Sequence, residues 1–130
     1  MLFRSLIDGL KDGTIDCIAS HHRPQEWDAK AKEFEYASDG MNVQEIAFSI
    51  AWNAVKGLVP LERVVDALTK GGKIFGLEQQ TVNKGAKAEL TIFTTEETVI
   101  PQKEHKKSIA ANHPFFGKEL AGKVIGIITK

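Results

Sequence analysis

Four histidines, His21, His22, His105 and His113, are the residues of this chain best suited to metal or acid–base chemistry. Neutral imidazole ligates zinc and titrates near neutral pH. Local zinc signatures place ligands at i, i+2 or i, i+4, and neither spacing occurs here. His21 and His22 are adjacent, so on a strand or loop end their side chains diverge. Spacing alone therefore assigns no metal centre, and solvated loop histidines are the default reading. The single cysteine, Cys17, lies between Ile15 and Ile18 and reads as a small buried apolar residue rather than a nucleophile. It excludes an internal disulfide framework and fits a reducing compartment.

Other chemistries are weaker still. Gly71-Gly72 lacks the Lys-Ser/Thr pair and the preceding strand of a phosphate loop, so it reads as a helix stop. No Gly-x-Ser-x-Gly elbow occurs. Glu96-Glu97 and the cluster Lys103, Lys106, Lys107 read as solvated loop charges. Trp27 and Trp52 offer faces for stacking on a ligand, but Trp52 falls within a helical pattern and reads as packing.

The elements that must position these residues follow from hydrophobic periodicity. Leu2, Phe3, Leu6, Ile7 and Leu10 recur at helical spacing, which predicts an amphipathic helix over 2–11. Asp12-Gly13 is a turn signal, and Thr14 to Ala19 reads as a strand buried on both faces. A long polar stretch, Ser20 to Asn42, follows, with a short helix expected around Glu26–Phe34. A loop of that length at the carboxyl end of a buried strand is where α/β folds bind ligands. Two helices come next. Val43, Ile46, Ala47, Ile50, Ala51 and Ala54 mark one over 43–56, and Leu61, Val64, Val65 and Leu68 mark another over 60–70, opened by Pro60. A turn of helix is expected around Lys73–Leu77. From residue 80 the period changes to two. Strands are expected at Ala88–Ile92, Thr98–Ile100 and Val124–Ile128, with a loop over 102–112.

Composition sets the outer limits. The 130 residues suffice for one domain or two small pieces, and fall short of the roughly 200 that a complete (β/α)₈ barrel needs. Seventeen basic and 17 acidic residues balance, which leaves no nucleic-acid footprint and no membrane-surface bias. Arg4 and Asp8 interrupt the first apolar stretch, so it does not read as a signal peptide. No run approaches the roughly 18 apolar residues of a membrane helix. The expectation is a soluble, cytoplasmic chain.

The run from Leu6 to Ala19, followed in order and in register by Ser20 to Gln25, Phe34 to Glu45, Gly71 to Leu77, Gly85 to Leu90 and Pro114 to Val124, resembles dihydroorotases, the amidohydrolase-superfamily enzymes of pyrimidine synthesis. The run from Leu6 to Ala19 is similar to the segment leading into their last barrel strand. That strand ends in Thr-Asp-His-Ala-Pro-His, where this chain has Ser20-His21-His22-Arg23-Pro24-Gln25. The family's Phe-x-x-Ala-Pro-x-Gly-x-x-Gly-Leu-Glu is matched by the stretch from Phe34 to Glu45. Its Asn-Pro-Ala-Lys-Ile-Phe-Gly-Leu is echoed by Gly71 to Leu77, and its Gly-x-Asp-Ala-Asp-Leu by Gly85 to Leu90. Its tail, Pro-Phe-x-Gly-x-x-Leu-x-Gly-x-Val, is matched from Pro114 to Val124.

The resemblance covers nearly the whole chain and the C-terminal third of such an enzyme. It implies an α/β fold turning to β. Residues 1–79 would supply a terminal αβ unit and helices of an amidohydrolase-type TIM barrel, and 80–130 strands of a small β-sandwich domain. It also implies a two-zinc family. The ligands there are a His-x-His, a lysine or acid mid-barrel, two later histidines, and a last-strand aspartate that doubles as general base. Only the last position falls in this chain, and it is His21. The substrate-loop positions are His22, Arg23, Gln25, Ala37, Ser38 and Gly40. Gln25 replaces the family's second loop histidine, and Ala37-Ser38 replaces Ala-Pro. The chain alone is therefore expected to be inactive, with no catalytic residue, no bound cofactor, and His21 as a weak metal candidate. The alternative is a zinc-dependent cyclic amidohydrolase active in a longer chain or complex. Helices 43–56 and 60–70 should carry apolar faces that need covering, which implies self-association. The missing barrel part and aspartate carbamoyltransferase, which inactive homologues assist structurally, are the other partners the resemblance implies.

Overall fold

A computed structural model describes residues 2–77 and 82–129, leaving aside the side chains of Leu2 and Phe3. The expected boundary at residues 79 and 80 lies outside the described residues. Helix α1 spans Leu2–Asp12 and buries Ile7 and Leu10. It ends at Gly13, whose φ of 88° suits a residue without a β-carbon. The Asp12 carboxylate accepts the Thr14 N–H at 2.8 Å and fixes the turn.

Residues 14–19 depart from the expected strand. The described residues place no strand beside them, so there is no ladder to join. Helix α4 (Leu61–Thr69) holds the segment instead. The Ile18 N–H donates to the Ala67 carbonyl at 2.8 Å, and the Arg63 guanidinium donates to the carbonyls of Leu10 and Ile15. Burial is partial: Ile15 and Ile18 pack on the helices, Cys17 is half-buried, and Ala19 is exposed.

The polar stretch contains only one short turn of helix, α2 (Trp27–Lys30), against the longer one expected. The helix expected over 43–56 is a 3₁₀ turn at Gln44–Ile46 leading into α3 (Ala47–Val55). Gly71-Gly72 does not stop the chain's helical course: a further turn, α5 (Gly71–Ile74), starts there. Ile7, Leu10, Val55, Val59, Val64 and Ala67 form the core between α1, α3 and α4, and Val64 and Ala67 are wholly shielded from solvent.

Beyond residue 82 two long strands, β1 (Glu89–Val99) and β2 (Leu120–Thr129), pair antiparallel. The two strands expected at 88–92 and 98–100 are thus one. The pairing passes from Thr94 opposite Lys123 to Thr98 opposite Ala121, so Thr95, Glu96 and Glu97 bulge where a single residue, Gly122, faces them. A second irregularity leaves Ile125 unpaired between Val124 and Gly126. The ribbon lies on α3, with the Phe48 and Phe93 rings 4.4 Å apart. At Gly122 the φ is +83°, and a β-carbon would stand 2.8 Å from the Trp52 ring. That close approach lets helix and ribbon meet.

Candidate functional site

The polar segments 20–46 and 102–119 fold onto each other. Residues 21–25 run beside residues 39–43, tied by a parallel bridge between His22 and Met41 and by the Arg23 N–H donating to the Met41 carbonyl at 2.9 Å. His21 sits at the entrance, exposed, with a left-handed φ of 47° that is uncommon for a residue with a β-carbon. Gly40 (φ +114°) faces Arg23 so closely that a β-carbon would lie 2.6 Å from the Arg23 β-carbon.

His22 turns inward and is half-buried. Its Nδ1 accepts the N–H groups of Val43 and Gln44 at 3.3 and 3.2 Å, two donors that the start of the 3₁₀ turn leaves without an internal partner. An imidazole accepting at Nδ1 carries its proton on Nε2. A cleft of about 670 Å³ opens beside this ring, lined by Gln44, Glu45, Phe48, Lys107 and Val124. The Gln25 side chain donates to the Asp39 carbonyl at 3.1 Å. The Ala37 and Ser38 N–H groups donate to Glu33 and Ala29, and the Lys30 ammonium donates to the Ser38 carbonyl at 2.7 Å. The structure therefore gathers His22, Arg23, Gln25 and Gly40 along one pair of segments, with Ala37 and Ser38 on the turn between them.

Three residues to which sequence reasoning gave no role hold this arrangement. The Asn112 side chain bonds to the backbone of Arg23, Gln25 and Gly40. The buried Asn42 donates to the Ala110 carbonyl at 2.8 Å. The Glu45 carboxylate accepts the N–H groups of Lys107 and Ser108 at 2.9–3.0 Å. These partners are 62 to 89 residues apart, so no local spacing marks them. Partial burial opposes ionisation of Glu45. The two N–H donors and the nearby charges of Lys107 and His113 outweigh it and hold the carboxyl below its usual value. His113 is pushed the other way from its charged form, chiefly by burial. Its ring stacks 4.3 Å from that of Phe116.

The donor set does not suit a zinc centre. Among the described residues no three His, Cys, Asp or Glu side chains gather as metal ligands. His21, at the position that resemblance matches to the family's metal-binding aspartate, is therefore part of no such group among them. The Nδ1 of His22 is already engaged with two backbone donors. Nor is any described helix long and apolar enough to cross a membrane.

Comparison with known proteins agrees with this architecture. No family model matches the chain. Curated sequences do. The dihydroorotase of Enterococcus faecalis is 38% identical over 125 residues, covering 94% of this chain and 29% of its own length. That of Elusimicrobium minutum is 36% identical over 121 residues, covering 91% and 28%. Among solved structures, the D-hydantoinase (dihydropyrimidinase) from Thermus sp. superimposes with a TM-score of 0.80 at 23% identity, over 97% of this chain and 29% of that one. The L-hydantoinase (dihydropyrimidinase) from Arthrobacter aurescens does so at 0.79 and 24%, over 95% and 29%. The structural likeness establishes only that this segment shares the fold of the matching portion of those proteins, and the chain spans less than a third of the length of each relative. Sequence and fold together make this chain a dihydroorotase-like segment.

Proposed function

We propose that this segment does not open cyclic amides by itself and that it works as a structural element covered by another polypeptide. The observation carrying the reading is the state of the site loop. Its backbone is held in register, but the position matching the family's metal-binding base is His21, which joins no group of three ligand-type side chains among the described residues, and His22 is committed to capping the 3₁₀ turn. A hydrolytic water needs a metal or a base to lose its proton, and a lone exposed imidazole provides no bridging site for that. Large apolar side chains support the second half. Phe34 and Ile109 are each 97% exposed, and Phe75 and Ile127 are largely exposed too. Surfaces of that kind are usually buried against a partner. The first candidate is a second copy of the chain, the next the remaining part of an amidohydrolase barrel, then aspartate carbamoyltransferase, in which case the role would belong to pyrimidine biosynthesis.

The test is dihydroorotate ring opening by the chain with added zinc, followed optically at mildly alkaline pH, with light scattering on the same sample. No turnover above a zinc-only blank, together with a species larger than a monomer, is the expected result. Turnover would overturn the non-catalytic reading. A strictly monomeric, folded species would remove self-association.

A second reading rests on Arg23, exposed at the head of the loop with a guanidinium suited to a substrate carboxylate. Here the segment completes a zinc-dependent cyclic amidohydrolase in a longer chain or complex. Binding of about two zinc ions per reconstituted unit, the pattern of two-metal hydrolases, would favour it. Absence of zinc binding there would sink it.

A further inference from the structure

We infer that Asn112 is a positioning residue of the site loop, a side chain that sets residues 21–25 against residues 39–42. The inference rests on reading this loop as the family's substrate loop, but its test involves no turnover, so the two can fail separately. The Asn112 Nδ2 donates to the carbonyls of Arg23 at 3.0 Å and Gly40 at 3.2 Å. Its Oδ1 accepts the Gln25 N–H at 3.0 Å. Its own backbone carbonyl accepts the Asn42 N–H at 3.0 Å. One carboxamide thus uses both donors and an acceptor on two separate segments at once.

This pattern selects the residue type. A carboxamide carries two N–H donors and a carbonyl acceptor in one plane. An aspartate has the same shape and keeps the acceptor. It would turn its second oxygen towards the Arg23 and Gly40 carbonyls, where like partial charges repel. The consequence reaches His22, whose backbone bridge to Met41 lies between the two anchored points and whose Nδ1 depends on Val43 and Gln44 staying in place. Asn112 meets the substrate-loop positions Arg23, Gln25 and Gly40 through their backbone groups, and acts on them by holding that backbone.

The test compares Asn112→Asp and Asn112→Ala with the unaltered 130-residue chain by NMR. Amide exchange is read at Gln25 and Asn42, and long-range nitrogen–proton correlation on the His22 ring reports whether Nδ1 still accepts. Control amides are Ile18, which donates to Ala67, and those of the β1–β2 ladder. Exchange at Gln25 should rise about tenfold in Asn112→Ala, the change that loss of one ordinary hydrogen bond brings. It should rise in Asn112→Asp as well, because repulsion from the Arg23 and Gly40 carbonyls displaces the carboxylate that the Gln25 N–H donates to. The His22 ring should lose its single-tautomer pattern, and the controls should keep their rates. An unchanged His22 ring and Gln25 rate in Asn112→Asp would overturn the proposal. A uniform rise at every amide in that isosteric variant would overturn it too, because Asn112 would then be a general stabiliser. Should Asn112→Ala fail to fold, Asn112→Asp alone decides.

Discussion

The core between α1, α3 and α4 and the polar cluster around Asn112 are held by different forces, although each joins segments distant in sequence. The core is apolar: Val64 and Ala67 exclude water from Ile7, Leu10, Val55 and Val59. Such packing is non-directional and is shared among many contacts. In the cluster, Asn42, Glu45 and Asn112 each bond to named backbone groups across 62 or more residues. Every bond there needs a particular donor and acceptor in place. The core fixes that the chain folds, and the cluster fixes which conformation the site loop takes.

The largest effect should come from charging the core. Val64→Asp would bury a carboxylate without a partner where solvent does not reach, and should leave the chain unfolded by circular dichroism. Retention of the native spectrum would show that the core does not carry the fold. A smaller effect is expected in the cluster. Asn42→Ala removes the donor to Ala110 from a nearly fully buried position and should lower stability by about 1–3 kcal/mol in urea titration. Loss of protection should concentrate at residues 106–113. A spread of that loss into α1 and α4 would erase the distinction between the two regions.

The smallest effect concerns pH. The Glu45 carboxyl lies below its usual value in the folded chain. Its contribution is therefore fully present above the unfolded glutamate pKa and is lost as pH falls through the lower folded value. His113 adds to the same trend from higher pH. Its folded pKa is depressed, so stability declines as pH drops below the ordinary histidine value of about 6.5. Glu45→Gln should abolish the acidic step in the exchange rates of the Lys107 and Ser108 amides, at a cost of about 0.5 kcal/mol because solvent screens an exposed carboxylate. An acid step that persists in Glu45→Gln would assign the clasp to another group.

Periodicity made the helices legible. Ile7 and Leu10, and Leu61, Val64, Val65 and Leu68, repeat at a spacing that only a helix can turn to one side. The family motifs made the position of the loop legible as well, from Ser20 to Gln25 and from Phe34 to Glu45. The strand expected at Thr14–Ala19 failed for a physical reason. A β-rich apolar run becomes a strand only where a neighbour supplies its ladder, and no described strand stands beside this one. The separation of β1 into two short strands failed because a bulge, which leaves no mark in the alternation of residue types, carries the pairing through Thr95, Glu96 and Glu97.

The sequence by itself determined the helices, the balanced charge and the likeness to dihydroorotases, since each rests on composition, local spacing or matched motifs. The tertiary structure alone decided what the candidate site consists of. It placed Asn112 on Arg23, Gln25 and Gly40, set Glu45 on Lys107 and Ser108, and turned the His22 ring to cap a turn at Val43 and Gln44. Hydrogen bonds act over about 3 Å in space whatever their separation along the chain, so one sequence read alone contains no periodic signal for them.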